Sequence, residues 1–271
     1  MCGIAGYSLS VDSRVDRTLA AQTLFAAIAE RGSHASGYAY KRPDGPPVVH
    51  KQRTGASRLL KSVAIPKDAS AALFHVRDYT KGHPSLAANN HPVRHGAVLG
   101  VHNGIIANDD QLFERHALTR DEPDMTVDSE AIFALVEGAK HVPTALEQLY
   151  GSMATAWLDE RRPEVVFLAR GVGRPLWLGR GAGAAVFAST RAALELVERY
   201  TGVRLEKDEL DEGSLVTLQD GSVTRTTAFE PDRSFTEEPL PPVRAPEEGR
   251  SCLALLAALT GGAVAVPARA R

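Results

Sequence analysis

Cysteine is nearly absent from the 271-residue chain, with only Cys2 and Cys252, at opposite ends. That excludes a disulfide framework and any Cys-based zinc spacing, and it fits a reducing, cytoplasmic setting. Neither sign of charge dominates: 31 Lys and Arg face 33 Asp and Glu, interspersed along the chain, so a nucleic-acid partner is not expected. No charged and then apolar secretory leader opens the sequence. The one long apolar run, SCLALLAALTGGAVAVPARAR, is broken by Gly261 and Gly262 and ends at Pro267. It falls short of the ~20 residues a membrane-spanning helix needs, and reads as a short helix docked on the body or a partner, or as a loose tail. No GxGxxG or P-loop is present, and GRGAG at Gly179 precedes a strand instead of opening a helix, so it reads as a turn. His75, His83, His91, His95 and His102 match no metal spacing and are expected in loops and core. Neither metal nor cofactor is expected.

What is present is an ordinary globular composition, 44% hydrophobic and 24% charged. CGIAGYSL suits a buried strand, and LAAQTLFAAIAERG carries apolar residues at helical spacing up to Gly32. SGYAYKR, PVVHKQR, AALFHVRD and AVLGVHNG read as strands. DSEAIFALVEGA and VPTALEQLY read as helices, the first with Asp128 as a plausible cap. ATAWLDE, EVVFLARG and AVFAST are three further strands, RAALELVERY a helix, and GSLVTLQDGSV a hairpin turning at Asp220 and Gly221. Strand runs without regular βαβ alternation predict an α+β layered fold with antiparallel pairing. One domain is expected over residues 1–231. The composition changes over the Pro- and acid-rich EPDRSFTEEPLPPVRAPEEGR, and residues 232–271 are expected to be a linker and short apolar tail.

Cys2 directly follows the initiator methionine, and removal of Met1 is expected because the second side chain is small. The thiol (pKa ~8.5) and the α-amine (~7.7–8.0) of one residue could then act as nucleophile and base. RGSHASG, FHVRDYTKG, HNGIIAN and VDSE follow in order, and with CGI at the start this pattern resembles the class II glutamine amidotransferases, the glutaminase branch of the N-terminal nucleophile hydrolases. The resemblance runs from Cys2 to about Val223 and takes in RPLWLG, AVFAST and LDEGSLVTL.

The resemblance implies a four-layer αββα sandwich with antiparallel sheets, and hydrolysis of L-glutamine through a thioester on Cys2. Asn103 and Gly104 would form the oxyanion hole. Arg77 would grip the substrate α-carboxylate and Asp128 its α-ammonium. Thr80 and Gly82 would belong to the loop that closes over glutamine, with Arg31 and Gly32 close to the nucleophile. Family members usually pass the ammonia to a second catalytic domain, and since nothing after Pro231 in this sequence could build one, a separate synthase subunit is the expected partner. The pattern is broken at Asp78 and Lys81, where the sugar-phosphate branch carries an aromatic and a histidine. Two other readings stay open: an N-terminal nucleophile amidase for a different acyl group, and a degenerate domain serving as a regulatory or interaction module.

Overall fold

Alternation along the first strand divides the structure into layers. In CGIAGYSL, Ala5, Tyr7 and Leu9 point into one core and Ile4 into another, as a strand's two-residue period requires. The computed structural model describes residues 2–237 and 241–261. Met1 and residues 262–271 of the expected tail lie outside the described residues. In chain order the elements are β1 (Gly3–Leu9), α1 (Arg17–Ile28), β2 (Ala35–Lys41), β3 (Val48–Gln52), α2 (Ser57–Leu60), β4 (Ala71–Arg77), β5 (Val93–His95) and β6 (Val98–Ile106). There follow α3 (Asp109–Arg115), α4 (Glu130–Gly138), α5 (Val142–Leu146), β7 (Gly151–Asp159), β8 (Val165–Arg170), β9 (Trp177–Gly181) and β10 (Ala184–Ala188). The last are α6 (Arg191–Thr201), β11 (Glu206–Glu209), β12 (Ser214–Gln219), β13 (Ser222–Ala228) and α7 (Pro246–Thr260).

Two antiparallel sheets carry the fold. One has seven strands in the order β11-β9-β10-β1-β4-β2-β3, the other six in the order β13-β12-β8-β7-β6-β5. Their facing surfaces enclose a core of Ile4, Leu73, Val101, Ala154, Ala156, Leu168, Phe187 and Val216. Outside the first sheet, Leu24, Phe25 and Ile28 of α1 lie over β1 and β4, Leu194 and Val197 of α6 lie over β9 and β10, and Cys252 and Leu256 of α7 join the same core by packing on α1 and α2. Outside the second, Ile132, Phe133 and Val136 of α4 and Leu146 of α5 cover Met153, Trp157 and Phe167. Helix, sheet, sheet, helix is the four-layer sandwich the resemblance implies. Strands serving two such interfaces are apolar on both faces, so β1, β4 and β7 are buried along their whole lengths.

Local chemistry sets the element ends. Asp16 caps α1 by accepting from the N–H of Leu19 at 2.9 Å. Asp220 and Gly221, with φ of 48° and 71°, make the tight turn between β12 and β13. GRGAG is the end of β9 and its turn into β10. The third predicted helix shrinks to Val142–Leu146. The C-terminal helix, by contrast, begins at Pro246, earlier than its apolar run. Pro at N1 and Glu247 and Glu248 in the first turn suit a helix start, where N–H groups lack partners and the dipole is positive. This helix docks on the body, burying Cys252 and Leu256 completely. No described helix is long and apolar enough to cross a membrane.

Candidate functional site

The end of β1 places Cys2 where the turn after α1 and the loop after β4 meet. Its thiol donates to the main-chain oxygen of Asp78 at 3.6 Å, and its own carbonyl accepts from Arg31 Nε at 2.9 Å. Arg31 closes the short 3-10 turn Ala29–Arg31 that continues α1, which brings the RGSH segment to the cysteine. Burial pushes the Cys2 thiol above its ordinary pKa, with the Asp78 carbonyl and the Arg77 guanidinium pulling the other way. At neutral pH the sulfur is therefore mostly protonated and needs a base to become a nucleophile.

Arg77 ends β4 and is buried. Its Nη1 donates to Asn90 Oδ1 at 2.7 Å, and its Nη2 to the carbonyls of Lys81 at 2.7 Å and Gly82 at 2.5 Å. The guanidinium thus folds loop 78–82 around itself, and Thr80 is exposed on that loop. Gly82 has φ 77°, and a Cβ there would stand 2.9 Å from the backbone of Val127, so only glycine lets the loop lie against the residue preceding Asp128. Asn89 fixes the same junction, accepting from the N–H groups of Thr126 and Val127 at 2.8 and 3.0 Å. The charges of Cys2 and Asp128 are those that act most strongly on Arg77, so the half-buried thiol shares one neighbourhood with the buried guanidinium and carboxylate.

Asp128 does not cap α4. Ser129 occupies the cap position without a capping bond, and the Asp128 carboxylate instead accepts from the main-chain N–H of Ile106 at 2.8 Å. Ser129 is used elsewhere, its hydroxyl lying 2.8 Å from His102 Nδ1. Burial pushes the Asp128 pKa up to about 6, with Ile106 holding it down in part.

Asn103 and Gly104 lie in β6, and the Asn103 side chain is fully buried. Neither its Oδ1 nor its Nδ2 has a hydrogen-bond partner among the described residues. A buried carboxamide without partners costs about 1–3 kcal/mol, so its retention points to a ligand. Gly104 has φ 148°, and a Cβ there would stand 1.9 Å from the carbonyl oxygen of Ser152. No other residue fits. Neutral dipoles held this way stabilise a developing oxyanion without reorganising.

The histidines divide by environment. His75, His91 and His102 are buried, with His75 stacked on His91 at 4.0 Å and its Nε2 3.1 Å from the His102 carbonyl. Burial drives His75 and His102 down to about 3 and His91 well below its ordinary value, so all three are neutral struts. His95 contacts Glu130 at 2.9 Å, and His83 sits on a loop 2.7 Å from Ser85.

The two departures from the expected loop pattern have partners. Lys81 Nζ lies 2.7 Å from Asp109 and 2.8 Å from Asp110, and despite partial burial these acids raise its pKa. Asp78 pairs with Arg244 at 2.9 Å and lies 3.5 Å from His34 Nδ1. Sequence reading missed Asn90, Ser152, Arg174, Glu237 and Arg244, each of which reaches the site through a contact distant in sequence. The adjacent Asn89 and Asn90 were the one local hint, as two neighbouring amides are costly to bury without assigned partners.

Residues 75–196 match a family model described as a glutamine amidotransferase domain. Glutamine–fructose-6-phosphate aminotransferase (isomerizing) of Shigella flexneri is 30% identical over 253 residues, covering 89% of this chain and 39% of that protein. The enzyme of the same name from Shouchella clausii is 27% identical over 241 residues, covering 84% and 38%. The chain thus spans about two fifths of the length of these relatives. Among solved structures, glutamine phosphoribosylpyrophosphate amidotransferase from B. subtilis, complexed with ADP and GMP, superposes with a TM-score of 0.67 at 20% identity. That match covers 84% of this chain and 49% of the other. A second, the allosteric regulatory enzyme of purine biosynthesis, gives 0.65 at the same identity and coverage.

Proposed function

Because this chain belongs to the class II glutamine amidotransferases, we propose that it hydrolyses L-glutamine to glutamate and ammonia through a thioester on Cys2, and that the ammonia is passed to a synthase. The observation that carries this reading is the half-buried Cys2 sharing one neighbourhood with the buried Arg77 and Asp128. A free α-amino acid presents a carboxylate and an ammonium on one carbon, and a guanidinium and a carboxylate in one pocket complement both. An amidase for an acyl group without that head would have no use for the pair.

Removal of Met1 leaves an amine on the residue that bears the sulfur. As the thiol attacks the side-chain carboxamide, its proton passes to the α-amine, directly or through one water, and the carbonyl oxygen becomes an oxyanion facing Asn103 Nδ2 and the Gly104 N–H. When the C–N bond breaks, the protonated amine returns its proton to the departing nitrogen, releasing ammonia and leaving a γ-glutamyl thioester. Water activated by the same amine then frees glutamate and restores the thiol. The raised thiol pKa makes this internal base necessary, since little thiolate stands ready at pH 7.

The sugar-phosphate and phosphoribosyl acceptors named for the relatives belong to those longer proteins. The acceptor here, on a separate subunit by this reading, is left to the synthase that pairs with it. The test is mass spectrometry of the purified chain before and after a diazo-ketone glutamine analogue, with an ammonia assay on wild type and Cys2→Ala. One adduct on an N-terminal Cys2, with ammonia release abolished by the substitution, is expected. Retained Met1, or undiminished ammonia from Cys2→Ala, overturns the reading.

A further inference from the structure

Two charged residues beyond Pro231 reach back to the cysteine end of the sandwich, one to each sheet. Glu237 holds Arg174 Nη2 at 2.5 Å through both oxygens, and its Oε2 accepts from Ser152 Oγ at 2.9 Å. That hydroxyl in turn accepts at 3.2 Å from the N–H of Ile105, the residue after Gly104. Arg244 lies on the other side. Its Nε donates to Asp78 Oδ2 at 2.9 Å, and the N–H groups of Arg244 and Ala245 converge on the carbonyl of Glu30 at 2.9 and 2.8 Å.

Both Arg244 contacts lead to the nucleophile in one further step. Asp78 carries the main-chain oxygen that accepts the Cys2 thiol, and Glu30 precedes Arg31, whose Nε holds the Cys2 carbonyl. Asp78 is also the first residue of the loop bearing Thr80 and Gly82. Its carboxylate is largely covered, with 13% of the side chain exposed, and Arg244, 166 residues away in sequence, is one of the cations that pair with it. Next along the chain, α7 buries Cys252 and Leu256 and fixes the position from which Arg244 projects.

We infer that Arg244 is a positioning residue for the glutaminase site, acting through Asp78 to hold the 78–82 loop over the substrate and beside Cys2. The inference rests on the glutaminase reading for its kinetic consequence and on geometry alone for its effect on the thiol. The strap after Pro231 is then a working part of the site, and whatever draws it away opens the loop. Glu237, on Arg174 and Ser152, is its second anchor.

The test uses the full chain with Arg244→Gln, Asp78→Asn, the double variant and Arg244→Lys. It measures kcat and KM for glutamine, the melting temperature, and the rate at which iodoacetamide modifies Cys2, with peptide mapping to separate it from Cys252. Each single substitution is expected to raise KM about fivefold with kcat within about twofold, the double to be no worse than either, and Arg244→Lys to recover most of the loss. Alkylation of Cys2 is expected to speed up in both single variants, because both release the loop. A purely electrostatic role predicts opposite signs, since one substitution removes a positive and the other a negative charge near the sulfur. Opposite signs, additive effects on KM, or an unchanged KM overturn the inference. If the wild type releases no ammonia, the functional reading fails, and the alkylation rates still decide the role of Arg244.

Discussion

The carboxylate of Asp128 accepts a hydrogen bond from the main-chain N–H of Ile106 at 2.8 Å, two residues beyond Gly104. The acid proposed for the substrate ammonium is therefore tied directly to the strand proposed for the oxyanion. A shift in β6 would move both together, coupling recognition of the amino-acid head to stabilisation at the far end of the side chain.

Asp128 has its pKa pushed up to about 6 by burial, yet must be ionised to hold an ammonium. The value of kcat/KM for glutamine should therefore fall as pH drops through about 6, since that ratio reports the free enzyme. The corresponding limb of kcat should sit lower, because a bound ammonium favours the carboxylate. Asp128→Asn should remove the limb and raise KM. A raised carboxyl pKa contributes stability that is fully present below the ordinary carboxylate range and is lost as pH climbs through about 6. At pH 7 the wild type bears that cost, on the order of 3 kcal/mol. Asp128→Asn should accordingly melt higher than wild type at pH 7 and not at pH 4.

Asn103→Ala separates catalysis from folding. Loss of one oxyanion donor should lower kcat about 10²- to 10³-fold. Because the carboxamide has no partner among the described residues, removing it lifts a desolvation penalty that offsets the small cavity left behind. The melting temperature should therefore stay close to that of wild type. A large fall in melting temperature with kcat preserved would assign Asn103 to structure.

The buried histidines predict acid sensitivity. Burial depresses the folded-state pKa of His91 well below its ordinary value and those of His75 and His102 to about 3, so the stability the three contribute is present above about 6.5 and is lost as pH falls below it. Asp128 works in the opposite sense between about 4 and 6, but it is one group against three. Unfolding in that window should take up protons on balance, so stability should fall as pH is lowered. Urea midpoints measured at pH 7, 6 and 5 check this. A flat profile would mean that the three rings are not held neutral by the fold.

Leu256 tests whether the C-terminal helix belongs to the body. It is fully buried in the core beside α1, on which α7 packs, and Leu256→Ala should cost about 2–5 kcal/mol. Chemical denaturation should show the loss in the single main transition. A change below about 0.5 kcal/mol would mean that α7 adds little to the fold.

Much of this molecule is set by local pattern. The small and apolar run in CGIAGYSL, the Asp-Gly turn at residues 220–221 and the Ala- and Leu-containing run of α1 determine strand, hairpin and helix from neighbouring residues alone. The order of CGI, RGSH, FHVRDYTKG, HNG and VDSE is linear information too, so the family and the candidate residues Cys2, Arg77, Asn103, Gly104 and Asp128 are legible before any fold is known. Sequence could not divide the strands between sheets, since β8 and β9 are consecutive in the chain yet lie in different sheets. Nor could it decide what Asp128 does: its position ahead of α4 suggested a cap, and only the approach of β6 offers the Ile106 N–H instead. The pairing of Asp78 with Arg244 and of Glu237 with Arg174 was equally out of reach, because a charge in a sequence shows no partner until the chain has folded. Local propensity and motif order act over a few bonds and survive in one dimension. Burial, the pKa values it shifts and the ion pairs it demands depend on distances that exist only after residues far apart in the chain have been packed together.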